Sequence, residues 1–287
     1  PAPPVKPPAP PPQPVRSPTA FLTKAPAPSL KLRPFPRASV DRRRPRLPTK
    51  PIKLTLKKTS RPHRDAATDA SSAAGKIATA ARDGTLRVSK LKEDGSIISV
   101  RQLVAASKKA LTAAQVTDDG ACIICCGWDC AITVYDASTG SLLRRLDDAH
   151  DAAVSCGRLR GSVFCTGAWD ATVKLWAVSD LCGTEDCIGP FLELVDHEAP
   201  VTCVGLSANA ALVVAGADDG ALLIWDARPM SGDRVPVGDA IISLEAPVVC
   251  VDICSDRIIA AAEDGRIVEV ALDGGELRRV DLRGEPR

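Results

Sequence analysis

The chain has 287 residues and a formal net charge of only +2, a figure that averages two regions of opposite character. Residues 1–64 hold 16 Lys or Arg against one acid, Asp41, together with 18 of the 24 prolines, whereas residues 65–287 carry a balance of −13, all 20 glycines and all four tryptophans. That split excludes one uniform domain. The lack of any apolar run near the roughly 20 residues needed to cross a bilayer argues against a spanning helix, and cysteines scattered through apolar runs such as Ala121-Cys122-Ile123-Ile124-Cys125-Cys126 argue for buried free thiols in a reducing compartment over a disulfide framework.

Residues 1–64 are expected to form a disordered linker with polyproline-like stretches. Proline at this density interrupts any ladder of backbone donors, and too little apolar surface is present to offset the entropy of ordering. Arg42-Arg-Arg44, Arg46 and Lys57-Lys58 make a basic run suited to anionic lipid, to RNA or to the acidic remainder of the chain. Only Phe21 and Phe35 could stack on bases, so nucleic acid is not the expected partner. Pro-X-X-Pro patterns within residues 1–14 suit SH3-type grooves, Ser17 before Pro18 and Ser39 are candidate phosphorylation positions, and His63 falls in this tail with no partner in view. No secretory leader pattern is present, which favours a soluble, cytoplasmic protein. A first residue that is Pro1 leads to the expectation that the sequence is a fragment of a longer protein.

Residues 65–287 repeat one pattern: Asp, apolar at +3 and +5, then an aromatic or its substitute at +6. Five copies read Asp83-Gly-Thr-Leu86-Arg-Val88-Ser89, Asp129-Cys-Ala-Ile132-Thr-Val134-Tyr135, Asp170-Ala-Thr-Val173-Lys-Leu175-Trp176, Asp219-Gly-Ala-Leu222-Leu-Ile224-Trp225 and Asp264-Gly-Arg-Ile267-Val-Glu269-Val270. Their aspartates are 46, 41, 49 and 45 residues apart. An apolar run such as Ser162-Val163-Phe164-Cys165-Thr166 precedes each aspartate, and alternation with period two follows it, so each unit reads strand, tight turn at Asp, strand. Further strands after Gly140 and before the next Asp bring the count to four per repeat, the arithmetic of a β-propeller blade. The expected fold is all-β: five visible four-stranded repeats over residues 65–287, part of a ring of about seven blades. Two features are weak at the ends. Asp65–Ser72 is nearly all small or polar, and Glu276–Leu282 reads as one more outer strand.

These residues resemble the WD repeat. The resemblance implies an intra-blade network joining a histidine before the first strand, the turn aspartate and the closing tryptophan: His150, Asp170 and Trp176 in one repeat, with Thr166 as the second-strand hydroxyl, and His197, Asp219 and Trp225 in the next, where Ala215 supplies no hydroxyl. Asp83, Asp129 with Tyr135, and Asp264 mark the repeats that lack the histidine. The collinear order of Ala81-Arg-Asp-Gly-Thr-Leu86, Cys126-Gly-Trp-Asp129, His150-Asp-Ala-Ala-Val-Ser155, Gly167–Trp176 and Leu192-Glu-Leu-Val-Asp-His197 is similar to that of the C-terminal propeller of BEACH-domain proteins. It implies an adaptor in membrane-associated signalling or trafficking, reaching membranes indirectly through a BEACH region outside this sequence.

No enzyme is expected. Five aspartates at one turn position perform one structural job five times, and no nucleophile, base and orienting group assemble around them. Cys122, Cys125, Cys126 and Cys130 contain a CxxC, but no second pair stands at zinc-ribbon spacing, and alternation sends them to opposite faces of a strand. No metal, cofactor or small-molecule substrate is therefore expected. Trp128 and Trp169 precede turn aspartates of adjacent repeats. They either pack between blades or form, with Arg82, Asp218 and Glu263, a face that binds other proteins, for which the negative charge of the region suits a basic partner. The alternative function is nucleic-acid association through the basic tail, with the propeller as platform.

Overall fold

The computed structural model describes residues 63–92, 97–104, 109–184, 188–227, 239–254, 257–271 and 276–281. The chain divides into two compact units, Pro1–Lys58 and Thr59–Arg287. All described residues lie in the second, so the basic run, the Pro-X-X-Pro patterns, Ser17 and Ser39 fall outside them.

Five four-stranded antiparallel sheets follow one another along the second unit, each in simple sequential order. Blade 1 is β1 (Ala67–Ala73), β2 (Lys76–Ala81), β3 (Thr85–Leu91) and β4 (Ile97–Val104). Blade 2 is β5 (Leu111–Val116), β6 (Cys122–Gly127), β7 (Ile132–Asp136) and β8 (Leu142–Leu146). Blade 3 is β9 (Val154–Arg160), β10 (Val163–Ala168), β11 (Val173–Ala177) and β12 (Leu192–Leu194), with helix α1 (Val178–Cys182) inserted before β12. Blade 4 is β13 (Val201–Leu206), β14 (Leu212–Ala217), β15 (Ala221–Asp226) and β16 (Asp239–Ser243). Blade 5 is β17 (Val248–Cys254), β18 (Arg257–Ala262), β19 (Arg266–Ala271) and β20 (Glu276–Asp281). These are propeller blades, each strand paired to its sequence neighbour. Even the small, polar segment at the start of blade 1 is a strand, and the segment at the end of blade 5 is its outer strand. Helix α1 fills the longest Asp-to-Asp interval and buries Leu181. Among the described residues no helix is long and apolar enough to cross a membrane.

The hairpin at each aspartate is the same turn. The N–H of Gly84, Cys130, Ala171, Gly220 and Gly265 bonds the carbonyl three residues back, at 3.1, 3.3, 3.2, 3.1 and 3.0 Å. All five occupy the left-handed region, with φ between 63° and 89°. Glycine takes that conformation freely, whereas Cys130 and Ala171 hold it at a steric cost.

Blades stack face to face. Leu86 and Val88 of blade 1 pack with Ile123, Cys125 and Tyr135 of blade 2. Ile124, Cys126 and Val134 of blade 2 pack with Val154, Phe164 and Trp176 of blade 3. Cys165, Val173 and Leu175 of blade 3 meet Val201, Val213 and Trp225 of blade 4, and Cys203, Val214 and Leu222 of blade 4 meet Val248, Ile258 and Val268 of blade 5. Alternation thus does send Cys125 to one seam and Cys122 and Cys126 to the other. Desolvation pushes the Cys125, Cys156 and Cys203 thiols up to about 12, which makes them inert core groups. Among the described residues no cluster of metal-ligating side chains forms.

A second repeating device ties the seams. Every first strand carries a bulge near its start. In four blades the residue at that bulge is a hydroxyl that donates to the first-strand carbonyl of the next blade: Thr68 to Leu111 at 2.7 Å, Thr112 to Val154 at 2.9 Å, Ser155 to Val201 at 2.5 Å, and Thr202 to Val248. In blade 5 the equivalent residue is Val249, which is exposed.

Candidate functional site

The turn aspartates organise one end of the blades, and their partners show what each is for. In blade 3, Asp170 Oδ1 accepts the Thr172 backbone N–H at 2.9 Å and its hydroxyl at 2.7 Å, while Oδ2 accepts the Asp151 N–H at 2.9 Å and faces His150 Nδ1 at 3.0 Å. His150 Nε2 lies 2.7 Å from Thr166 Oγ1, which accepts the Trp176 indole N–H at 2.9 Å. Trp176 donates to Thr166; with a neutral imidazole Thr166 donates to His150 Nε2 and His150 Nδ1–H donates to Asp170, while the Thr166 hydroxyl also lies 3.4 Å from the Lys174 carbonyl. Burial favours that neutral imidazole by holding the His150 pKa down, against the opposing charge of Asp170. Burial alone would raise Asp170, but the two bonds from Thr172 together with His150 keep the carboxyl below its ordinary value.

A profile described as "WD domain, G-beta repeat" matches residues 140–177 and 189–226, the segments that hold Asp170 with Trp176 and His197 with Trp225. The chain carries WD repeats. It is similar to WD repeat-containing protein 55 of Arabidopsis thaliana, 26% identical over 153 residues, covering 53% of this chain and 41% of that protein. It is 24% identical over 151 residues to the DENN domain and WD repeat-containing protein SCD1 of the same plant, covering 53% of this chain and 12% of the relative. With mitochondrial division protein 1 of Schizosaccharomyces pombe it shares 33% identity over 113 residues, covering 34% of this chain and 16% of that protein. The chain thus spans well under half the length of each of these relatives.

The WD network is more widespread than the sequence reading allowed. His63, placed in the tail with no partner, belongs to blade 1: Nε2 lies 2.7 Å from Thr79 Oγ1 and Nδ1 2.7 Å from Thr85 Oγ1, and the Thr85 hydroxyl donates to Asp83 at 2.6 Å. Asp83 also accepts the Arg64 backbone N–H at 2.8 Å. Blade 1 therefore has its histidine, and the folded unit includes His63 and Arg64, which the sequence boundary at residue 64 had left outside. The signal that marks it is spacing, since His63 precedes Asp83 by the same 20 residues that separate His150 from Asp170. The threonine two positions after each of these aspartates, Thr85 and Thr172, is the other member that sequence reasoning missed.

The remaining repeats are rewired. In blade 4, Ala215 stands where Thr166 stands in blade 3, so the Trp225 indole N–H turns to Asp196 at 2.7 Å instead of joining His197 and Asp219. No side chain among the described residues bonds either ring nitrogen of His197, whose ring lies near the Ala215 carbonyl and the charge of Asp219. Its ring packs edge-on against Trp225 with centroids 5.5 Å apart, and Asp219 accepts the Ala221 N–H at 2.9 Å. In blade 2, Asp129 pairs with Arg145 at 2.9 Å beside the buried Tyr135. In blade 5, Asp264 holds Arg266 through both its backbone N–H and its guanidinium. In blades 1, 3, 4 and 5 the aspartate accepts the backbone N–H two residues on and so fixes its own turn, whereas Asp129 reaches Arg145 on the outer strand.

The predicted binding-face residues come together as one register position. Arg82, Trp128, Trp169, Asp218 and Glu263 each precede a turn aspartate, and each donates its backbone N–H to the residue just before the first strand of its blade, at 2.9, 2.9, 3.0, 3.0 and 2.9 Å. All five side chains are exposed. Trp128 and Trp169 do not pack between blades: they are 38% and 51% exposed and touch each other, with ring centroids 5.7 Å apart at 45°. At the opposite ends of the strands a hollow of about 380 Å³ lies between blades 3 and 4, lined by Val163, Phe191 and Ala208–Ala211.

Proposed function

We propose that this WD-repeat unit is a protein-interaction scaffold whose binding face is the Trp128–Trp169 end of the blades. The observation that carries the reading is the exposure of two mutually packed indoles at equivalent positions of adjacent blades. Leaving two large aromatic rings half in water costs free energy that a partner recovers by covering them, and tryptophan leads the residues that dominate interfaces. No catalytic step is part of the reading. The collinear motif order supports a finer placement, within a BEACH-type protein acting at the cytoplasmic side of membranes in signalling or trafficking; the full-length transcript tests it, because a coding region without a BEACH domain removes that placement.

The second reading, association with RNA, rests on the +15 balance of residues 1–64. A pull-down with the full chain, the Trp128→Ala/Trp169→Ala variant and a variant lacking residues 1–58 separates the two. Loss of protein partners in the tryptophan variant, with circular dichroism unchanged, supports the scaffold. Retained protein partners there, with RNA lost on removal of the tail, makes the tail the functional element.

A further inference from the structure

Two register positions repeat around this face, and their chemistry changes in one direction along the blades. The residue before the turn aspartate runs Arg82, Trp128, Trp169, Asp218, Glu263. The second position, two before the carbonyl that the first position bonds, follows the histidine as Arg64 in blade 1, Asp151 in blade 3 and Glu198 in blade 4 and follows Leu244 as Glu245 in blade 5; its blade 2 counterpart, Lys108, lies outside the described residues. The face is basic at blade 1, aromatic at blades 2 and 3, and acidic from blade 3 to blade 5. Glu245 is committed to Arg266 at 3.3 Å, but among the described residues Asp151, Glu198 and Asp218 are exposed and form no ion pair.

The backbone fixes where these carboxylates stand relative to the indoles. His150 N–H bonds the Cys130 carbonyl at 3.3 Å and Asp151 N–H bonds Asp170, which seats the Asp148–Asp151 loop between the turn that carries Trp128 and the turn that carries Trp169. The position after Trp169 in the series is Asp218, on the next blade. The apolar patch thus opens on one side toward carboxylates that form no ion pair among the described residues and on the other toward Arg82, with Lys109 close to Cys130 on the Trp128 turn.

Resting on the scaffold reading, we propose that the occupant of the Trp128–Trp169 patch is a basic protein segment, with lysine or arginine side chains laid on the indole faces and held by Asp151, Glu198 and Asp218. The choice follows from charge complementarity. A cation over an indole gains from the ring quadrupole, arginine most often, and neighbouring carboxylates that form no ion pair among the described residues add to the same site. An acidic or purely apolar segment would leave those three carboxylates facing like charge or losing water without return.

The probe is a fluorescein-labelled peptide of alternating glycine with arginine and lysine, beside a neutral counterpart with citrulline and acetyl-lysine, titrated against the full chain by fluorescence anisotropy. The basic probe is expected to bind and the neutral one to bind at least about tenfold more weakly. Trp128→Ala/Trp169→Ala is expected to weaken the basic probe about tenfold or more. Asp151→Asn/Asp218→Asn should weaken it several-fold, while Asp118→Asn/Asp180→Asn, which removes the same charge elsewhere, leaves it unchanged. Equal losses in the two charge variants with no loss in the tryptophan variant would overturn the proposal in favour of diffuse attraction. Equal binding of the neutral probe, lost in the tryptophan variant, overturns the basic chemistry but leaves the scaffold reading standing. Protein partners captured equally by the full chain and the tryptophan variant sink the scaffold reading itself.

Discussion

The side of blade 4 that faces blade 5 and the far side of blade 5 occupy the same place in the repeat, and their contrast shows what a blade seam requires. On blade 4, Val214 is fully buried and Cys203 nearly so, Gly216 leaves room for Val248, and Thr202 donates across the seam. On blade 5 the counterparts are Ile259, 45% exposed, Cys250, exposed, Ala261 in place of the glycine, and Val249 in place of the hydroxyl. Apolar character persists on both sides; the close-approach glycine and the crossing hydroxyl do not. Hydrophobic pattern alone therefore makes a sheet face; the crossing hydroxyl, present in all four mated blades, marks one that is mated to another blade, whereas the glycine position is Ala80 in blade 1 and Cys126 in blade 2.

The largest effect that would break this contrast is a buried charge. Val214→Asp is expected to unfold the protein or cost several kcal/mol, because a carboxylate would be sealed in the blade 4–5 seam without a partner. Ile259→Asp, the same change at the same repeat position one blade on, should stay within about 0.5 kcal/mol of the parent. Urea melts of the two variants measure the difference. Similar losses would mean that the far side of blade 5 is covered in solution.

Next in size is the network inside a blade. Thr166→Val strands the Trp176 N–H and removes the donor to His150 in a fully buried place, for an expected loss of about 2 kcal/mol. Ala215→Thr supplies blade 4 with the hydroxyl it lacks and is expected to stabilise by up to about 1 kcal/mol, if the chain accepts the added volume as blade 3 does. If both substitutions are neutral in thermal melts, the tryptophan and histidine act through packing alone.

The protonation state of the same networks predicts a pH dependence. Burial lowers the pKa of His63, His150 and His197 below 6.5, so the unfolded chain binds protons that the folded chain refuses. The stability these neutral rings contribute is fully present above the unfolded value of about 6.5 and is lost as pH falls through it toward the folded values. The Asp83 and Asp170 carboxyls, also held low, extend the loss at more acid pH. Melting temperature should be flat above pH 7 and decline below it. The decline should be shallower in His63→Gln, whose blade then carries no titrating ring.

Much of this was legible in the sequence because the pattern that carries it is periodic. Five turn aspartates announced five hairpins, and the residues before them, Arg82 to Glu263, share one face because a register position is fixed by counting. The binding role of that face is a separate matter, carried by Trp128 and Trp169. His63 was misplaced because the prolines and positive charge around it resemble the tail; a fixed interval to Asp83 outweighs local composition. The rewiring of Trp225 to Asp196 follows from one missing hydroxyl, Ala215, whose consequence depends on where an indole N–H can turn next. Helix α1 was missed because five residues are too few to display a helical period.

The smallest expected effect sharpens the comparison most, because it separates the crossing hydroxyl from the packing around it. Thr202→Val keeps the shape of the side chain and removes a donor shared by the carbonyls of Gly216 and Val248. The Cys203 thiol lies near both carbonyls, so the cost should be that of one net hydrogen bond, about 1 kcal/mol, or a few degrees of melting temperature. Val249→Thr places the same hydroxyl on the far side of blade 5, where water already serves it, and should change nothing measurable. The double variant should then match Thr202→Val alone, since the two sites share no partner. If Val249→Thr instead stabilises the protein, a carbonyl from another surface lies within its reach, and the far side of blade 5 is mated after all.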